Sequence, residues 1–487
     1  MMQTLKPPLV SVVIVNYNGL HFLGPCLTSL ERLHYPRERY EVILVDNASS
    51  DGSIPYVRTQ FPWVTIVRNA ANLGFAGGNN AGIRAAKGAY LALLNNDTRV
   101  DRDWLAALVE VCEADPLVGA CTSKILLMKD RLRLRLETDA FTPSGLGVSA
   151  DSRELGVIVE QAAVRSGDAA RPVDFVEGFY GEELVGERRY RWSSGRAILG
   201  LPISPDDRAL SLVLSVSNPR PSGAPTAPVS LWVGEERIAQ FDAAFEPRTY
   251  EVPLAEAILR QARQVIQNAG SLLLPDGSGR DRGALVRNGQ QSFEENHGQY
   301  DRTEEVFALC GAAVLLRRTM LDDVGLLDDE FFMYYEDTDL AWRARLRGWK
   351  IMYAPGAVVR HVHCGSSIEW SPLFTFHVLR NRLAMLLKDA PAGMAAREWR
   401  QFLLSLLIQG MKLSAHCARG GGRRVTPLWQ DVGVRARVAR SLMMSLPGLY
   451  RKRRTIRGAA RVGDEAIMRW ICDPDRTVYP SRSKKIT

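Results

Sequence analysis

The chain has 487 residues, 46% of them hydrophobic and 24% charged, with 40 Gly and 25 Pro. These ordinary globular proportions exclude collagen-like, coiled-coil and wholly disordered architectures and allow roughly three domains. The net charge of +8 is unevenly held: from Pro391 onward 20 Lys or Arg stand against 6 Asp or Glu, while the first 390 residues hold 42 against 48.

The basic C-terminal segment therefore reads as a phosphate-facing surface, either membrane headgroups or nucleic acid. Cys26, Cys112, Cys121, Cys310, Cys364, Cys417 and Cys472 are scattered, odd in number and form no C-x-x-C pair. That pattern argues against a disulfide framework or zinc finger and for a reducing compartment. Met1 to Pro8 is short and polar, so no secretory leader is expected. The best membrane candidate, Phe402 to Ile408, is far below the ~20 apolar residues a span needs. A cytoplasmic protein is expected.

In chain order, Leu9 to Asn16 is a Val/Ile-rich run suited to a strand buried on both faces of a parallel sheet. A helix is expected over His21–Leu33, a strand at Val42–Val45, a further helix, and a strand at Val64–Val67. Asn79–Lys87 reads as a helix ended by Gly88, and Tyr90–Leu94 as a fourth strand. This alternation predicts a doubly wound α/β sheet. From about Arg131 to Val265 period-2 segments replace it: Tyr190–Trp192, Leu210–Ser217, Val229–Val233, Arg237–Phe241 and Thr249–Val252, with turns such as Asn218–Pro228 between them. They predict a β-sandwich inserted into the first domain. The α/β character resumes by Phe307. Ala308–Leu316 reads as a strand, Asp337–Arg347 as a helix stopped by Gly348, and Ile351–Ala354 as another strand. Glu398–Leu413 has helical apolar spacing, and Arg435–Arg461 interleaves Leu, Met and Tyr with basic residues. The expected organisation is 1–130, an insert over 131–265, 266–390, and a helical basic tail over 391–487.

Polar clusters fall where strands should end. Asp46–Asn47 and Asn95–Asn96–Asp97 follow two strands of a sheet type that binds ligands at its carboxyl edge. One such residue simply starts a turn; two at corresponding ends mark a site. Asn72–Gly82 is rich in glycine and enters a helix whose N-terminus favours anions. It is neither a G-x-G-x-x-G fingerprint nor a Walker loop, and an ordinary turn explains it equally well. Tyr334–Leu340 (YYEDTDL) opens a helix, where carboxylates are favoured anyway. The flanking Phe331, Phe332, Tyr334 and Tyr335 supply apolar walls that raise a carboxylate's pKa toward the range of a general base. His361 and His363 lie just after a strand, and imidazole is a common metal ligand.

Together Val12–Asn18 (VVIVNYN), Val45–Gly52 (VDNASSDG), Asn72–Gly82, Leu93–Thr98 (LLNNDT) and Phe331–Gly348 (FFMYYEDTDLAWRARLRG) resemble the family-2 glycosyltransferases. These are inverting enzymes of the GT-A fold, a Rossmann-like nucleotide-diphospho-sugar transferase architecture, and the likeness is to their rhamnosyltransferase-like bacterial members. It covers about residues 9–128 and 266–385, and Val265–Leu273 marks where the family pattern resumes after the insert. By this resemblance Tyr17 and Asp46 match the positions holding nucleotide base and ribose. Asn72, Gly74 and Phe75 match the donor loop. Asn96 and Asp97 match the D-x-D-type site, here with one carboxylate, whose last Asp binds a divalent metal, Mg²⁺ or Mn²⁺. Asp337, with Glu336 beside it, matches the catalytic base. His361, or His363 if the alignment slips, completes the metal site in some relatives.

The resemblance implies an inverting hexosyltransferase, a rhamnosyltransferase among the options, that moves a sugar from a nucleotide-diphosphate donor to a glycan or lipid-linked acceptor in cell-surface polysaccharide synthesis. Arg451, Lys452, Arg453, Arg454 and Arg457 near Leu442, Met443 and Leu449 suit an interfacial helix on an anionic membrane; a solvated basic face or an oligomer contact suits them equally. No nucleic-acid recognition motif accompanies them. Two alternatives stand beside the transferase. A sugar-phosphate nucleotidyltransferase would need a Gly- and Lys-rich loop after the first strand, where Asn16–Tyr–Asn–Gly stands. A non-catalytic glycan-binding protein would use the insert, whose Trp192 and Trp232 are at least as readily sandwich core as sugar platforms.

Overall fold

The structure, a computed structural model, describes residues 6–221, 227–287, 290–363, 371–418 and 427–472. The chain divides into two compact units: Met1–Leu126 with Ile266–Glu294 and Gly298–Thr487, and Leu127–Val265 with Glu295–His297.

The first unit begins with β1 (Val10–Asn16), α1 (Leu20–Glu31), β2 (Tyr40–Asp46), α2 (Ser53–Gln60), β3 (Thr65–Arg68), α3 (Gly74–Ala85), β4 (Tyr90–Asn95), β5 (Thr98–Val100), α4 (Trp104–Glu113) and β6 (Val118–Leu127). β1 pairs in parallel with β2 and β4, and β2 with β3. Beyond β4 the strand Ala313–Arg317 runs antiparallel, followed by β6 and then Val265–Asn268. The continuous apolar run of β1 has the expected cause. Val13 packs into one core with Ile43 and Val45, while Val12 and Ile14 pack into another with Leu27, Leu44 and Trp104. Both faces are covered, so no polar alternation is needed. α1 buries Leu23, Cys26, Leu27 and Leu30, the 3–4 spacing of one helical face.

Helix α3 differs from its expected start at Asn79: it begins five residues earlier, at Gly74, and takes in most of the glycine-rich run. Those glycines serve the helix's approach to the sheet. A Cβ on Gly82 would lie 2.3 Å from Val13 Cγ1, and one on Gly78 would lie 2.7 Å from Val15 Cγ1. The apolar run at 308–316 likewise becomes a shorter strand, Ala313–Arg317, because Ala308 bridges to Ser271 and Cys310 hydrogen-bonds Thr122 before it begins.

The helices Pro372–Asp389, Ala392–Ala418 and Pro427–Gly458 belong to this unit too. Phe402, Val434, Val438, Leu442 and Leu449 are buried in the same core as Trp342 and Leu386. The residues after 391 thus extend the core of the first unit instead of standing apart. Leu442 and Leu449 face inward and are unavailable to a membrane, which corrects the interfacial face drawn from the sequence. Among the described residues no helix is long and apolar enough to cross a membrane.

The second unit is a ten-stranded sheet around a main apolar core. The 16-residue strand Arg188–Ile203 pairs with Asp130–Glu137 through Arg196–Ile203 and with Ile158–Ser166 through Arg191–Trp192, so it links the two halves of the sheet in a sandwich-like unit. Leu132, Leu134 and Leu136 enter the core while the arginines between them point out, the period-2 signature. Trp192 belongs to a small core, edge-on to Phe141. Trp232 is flanked by Arg135 and Arg237.

Candidate active site

The carboxyl ends of β1, β2 and β4 are level: Asn16 pairs with Asp46, and Val15 with Asn95. The polar residues that end those strands therefore meet at one edge. Asn96 donates to Asn16 Oδ1 at 2.8 Å, and Asn16 donates to Ser49 Oγ at 3.2 Å. Asp46 is fully buried; one oxygen accepts from Ser49 N, while Oδ2 has no hydrogen-bond partner. A buried carboxylate oxygen without a donor is an unmet acceptor at the end of β2. Tyr17, one residue past β1, is 50% exposed, a ring available for stacking. Asn72 accepts from Gly74 N at 2.9 Å, and Asn47 donates to both Asn72 and the Gly74 carbonyl. The start of α3 is thereby fastened to the end of β2.

The second wall comes from distant sequence. His361 ends the strand Lys350–His361, which pairs with β5 so that His361 stands opposite Thr98. Its Nε2 lies 3.1 Å from Asp97 Oδ1. Its Nδ1 lies 2.9 Å from Gln267 Oε1, an atom that only accepts, so Nδ1 carries a proton, and Asn95 Nδ2 lies 3.4 Å from Nε2. Asp97 Oδ1 is buried and accepts no aligned hydrogen bond. With Nε2 unprotonated, two acceptors lie 3.1 Å apart, the spacing of adjacent ligands around one small divalent ion beside them. No larger cluster of His, Cys, Asp or Glu with metal-ligand geometry occurs among the described residues. His363 is placed differently, with its ring 5.0 Å from that of Phe293.

Asp337 opens the helix Glu336–Leu346. Its Oδ2 accepts from Gly311 N at 3.1 Å, and Oδ1 from Thr338 N at 2.6 Å. A Cβ on Gly311 would lie 3.0 Å from the Phe75 ring and 3.7 Å from Asp337 Cβ, so the donor-loop aromatic and the acidic helix start converge there. Burial raises the Asp337 carboxyl above its usual range, against the hydrogen bonds from Gly311 and Thr338. Glu336 is pushed well up by burial and then by the Asp337 charge, and its Oε2 has no partner.

The approach to this helix is strained. Phe332, Tyr334 and Tyr335 all have positive φ (60°, 69° and 70°), which costs non-glycine residues of order 1–3 kcal/mol each. Asn381, fully buried on Pro372–Asp389, offsets this: Nδ2 donates to the carbonyls of Phe331, Met333 and Tyr334 at 2.8–2.9 Å. The Phe332 carbonyl accepts from Phe75 N and Ala76 N at the start of α3, and a Cβ on Gly74 would come within 2.3 Å of that oxygen. The strap 331–335 therefore ties the donor loop to the acidic helix.

Three side chains that the sequence does not flag complete the site. Val265–Asn268 carries Gln267 and Asn268, and Gly279–Asp281 carries Asp281, to which Asn268 donates at 2.6 Å. Burial raises Asp281 to about 6, with the Asp337 charge adding to the rise while Asn268 and His361 oppose it. Asp281 thus lies within the electrostatic reach of both the acidic helix and the Asp97–His361 pair.

Residues 11–159 match the family described as Glycosyl transferase family 2, and residues 242–381 match Glycosyltransferase like family 2. The chain is 35% identical over 101 residues to the glycosyltransferase AglE of Haloferax volcanii, across 20% of this chain and 33% of that one. It is 32% identical over 108 residues to an N-acetylglucosaminyl-diphospho-decaprenol L-rhamnosyltransferase of Mycobacterium tuberculosis, across 22% and 34%. It spans a third or less of the length of the first curated relatives it matches. A mannosyltransferase of Pyrobaculum calidifontis solved with GDP-Man and Mn²⁺ superposes with a TM-score of 0.39 at 14% identity, over 96% of this chain and 87% of that one. The two family matches reach into the insert from either side, together take in more than half of the chain and contain every strand end and helix start of the site: the chain belongs to the family-2 glycosyltransferases.

Proposed function

We propose that the chain is an inverting hexosyltransferase that moves a sugar from a nucleotide diphosphate to a hydroxyl of a glycan or lipid-linked acceptor in cell-surface polysaccharide synthesis. The observation that carries this reading is the convergence of the strand-end polar set, the donor loop and the half-buried Asp337 on one crevice. Tyr17 stacks the base, Asp46 Oδ2 takes a ribose hydroxyl, and Asn72 with Gly74 and Phe75 shapes the donor loop; Asn96 aligns the end of β1 with that of β4. Asp97 and His361 hold Mg²⁺ or Mn²⁺, which supplies positive charge to the leaving diphosphate; His363 lies outside that pair. Asp337 accepts the acceptor hydroxyl's proton as the new C1–O bond forms and the C1–phosphate bond breaks on the opposite face, inverting C1. Glu336, held protonated by burial, leaves Asp337 as the carboxylate that ionises first. A rhamnosyl donor and a lipid-diphosphate acceptor are the specific options that the named mycobacterial relative supports. The free cysteines of the described chain and its basic C-terminal segment support work at the cytoplasmic face of a membrane.

The test is donor hydrolysis by the purified protein with dTDP-, UDP- and GDP-sugars in Mg²⁺, Mn²⁺ or EDTA. Slow hydrolysis of one donor, abolished by EDTA, is the expected result. No hydrolysis of any donor and no donor-induced thermal stabilisation would overturn the reading in favour of glycan binding without turnover.

A further inference from the structure

The helix Ala392–Ala418 buries Phe402 and Leu413 but turns a second apolar stripe outward. Leu403, Leu404, Leu407, Ile408 and Met411 are each 45–59% exposed, at the 1–3–4 spacing of one helical face. A contiguous exposed stripe of this kind marks a contact surface. The helix touches Pro427–Gly458, where Arg435 donates to Ser405 Oγ at 3.1 Å. That second helix exposes Met443, Met444 and Tyr450.

The charges around these residues are of one sign. The two helices carry only two carboxylates, and both are paired internally: Glu398 with Arg397 and Arg382, Asp431 with Arg435. Arg400 lies one turn before Leu403, Lys412 follows Met411, and Arg437, Arg440, Arg451 and Arg454 share helical spacing with Met443 and Met444. These six make no ion pair with a carboxylate among the described residues. An isologous dimer through this face would set the same unpaired cations against one another. An anionic bilayer satisfies both features at once, taking the apolar stripe below the headgroups and the cations at their level.

We infer that the outer face of Ala392–Ala418, flanked by the cations of Pro427–Gly458, is a bilayer-docking surface for anionic lipid. The segment that inserts is the leucine stripe at 403–411; the exposed Arg451 and Arg454 lie at the headgroups, while Lys452, Arg453 and Arg457 are held within the protein. The inference deepens the proposed function by bringing the enzyme to a lipid-linked acceptor, and rests on that reading for its purpose but not for its test. Binding is measured by co-sedimentation of the full chain with phosphatidylcholine vesicles, with and without phosphatidylglycerol, in the absence of donor. The paired variant Leu404→Glu/Leu407→Glu should weaken binding to the anionic vesicles by about tenfold per leucine. Arg400→Gln/Lys412→Gln should weaken it less and flatten its salt dependence. Donor hydrolysis and unfolding midpoint are read on the same preparations. Both variants should keep them, so a failed vesicle result and a failed transferase reading remain distinguishable. Three outcomes would each overturn the inference: vesicle binding of the leucine variant unchanged, binding abolished by salt alone, or loss of a concentration-dependent dimer without loss of vesicle binding.

Discussion

At the scale of single residues, Asp337 and Asp281 are two carboxylates whose proton affinities rise for a shared reason, burial near each other. Their roles separate by what they can reach. Asp337 faces the Phe75 side of the crevice, where an acceptor hydroxyl can approach, so Asp337→Asn should lower turnover by about 10²–10⁴-fold while leaving donor-induced thermal stabilisation in place. Because the Asp337 carboxyl titrates above its usual range, kcat/KM should fall off on the acid side at a higher pH than an ordinary Asp dictates. Asp281 is held by Asn268. A carboxyl raised from 3.8 to about 6 on folding favours the native state only while protonated, so its contribution is present below pH 4 and lost as pH rises through 6, up to about 3 kcal/mol. Asp281→Asn should remove that slope: the variant gains stability over the parent between pH 4 and pH 7, read as a growing difference in denaturation midpoint. An unchanged difference across that range would refute the assignment. Asp46, Asp97 and Asp337 were legible because strand ends and helix starts announce themselves in short motifs. Asp281 was not, since only the tertiary pairing of Val265–Asn268 with β6 brings its hairpin to the crevice.

At the scale of elements, the strap 331–335 owes its shape to one amide. Two Nδ2 protons of Asn381 serve three carbonyls, so the contacts are shared, and removing them strands buried acceptors beside three positive-φ residues. Asn381→Leu should cost about 2–4 kcal/mol of stability by urea denaturation. In donor hydrolysis it should lower kcat more than it raises the donor KM, because the acidic helix start shifts while the β1, β2 and β4 ends stay in place. A midpoint within error of the parent would show that the strap is held from elsewhere. In the sequence Asn381 is a mid-helix residue like any other (LRNRLAM), and nothing local distinguishes it. The parallel strands were readable for the opposite reason, since two-sided burial writes itself as an unbroken apolar run. The start of α3 was misplaced because glycines read locally as a turn, whereas here Gly78 and Gly82 lie inside the helix and allow its close packing against Val13 and Val15. Asp130–Glu137 (DRLRLRLE) carried a clear period-2 pattern but lies where one architecture gives way to the other.

At the scale of the whole molecule, the family's sheet is interrupted at a place that tolerates interruption. The chain leaves the first unit after Leu126 and returns at Ile266, and these two residues are opposite partners in the antiparallel pairing of β6 with Val265–Asn268. Residues so paired have Cα atoms about 5 Å apart, a gap that a two- to four-residue hairpin closes without moving either strand. The second unit has its own apolar core, built from Leu132, Leu199, Leu214 and Leu231 among others, so neither core depends on the other for its burial. Joining Met128 to Gln264 through an Asn-Gly turn should therefore leave a protein that unfolds in one cooperative transition and hydrolyses the same donor with the same metal requirement. The crevice residues from Tyr17 to His361 all lie in the first unit. Transfer to the natural acceptor is the sensitive measurement. If the insert only decorates the fold, transfer survives with hydrolysis. If it contributes to acceptor choice, hydrolysis persists while transfer falls, and the acceptor KM rises before kcat changes. A shortened chain that loses donor hydrolysis or fails to fold would show that the sheet edge formed by β6 needs the insert to hold its register.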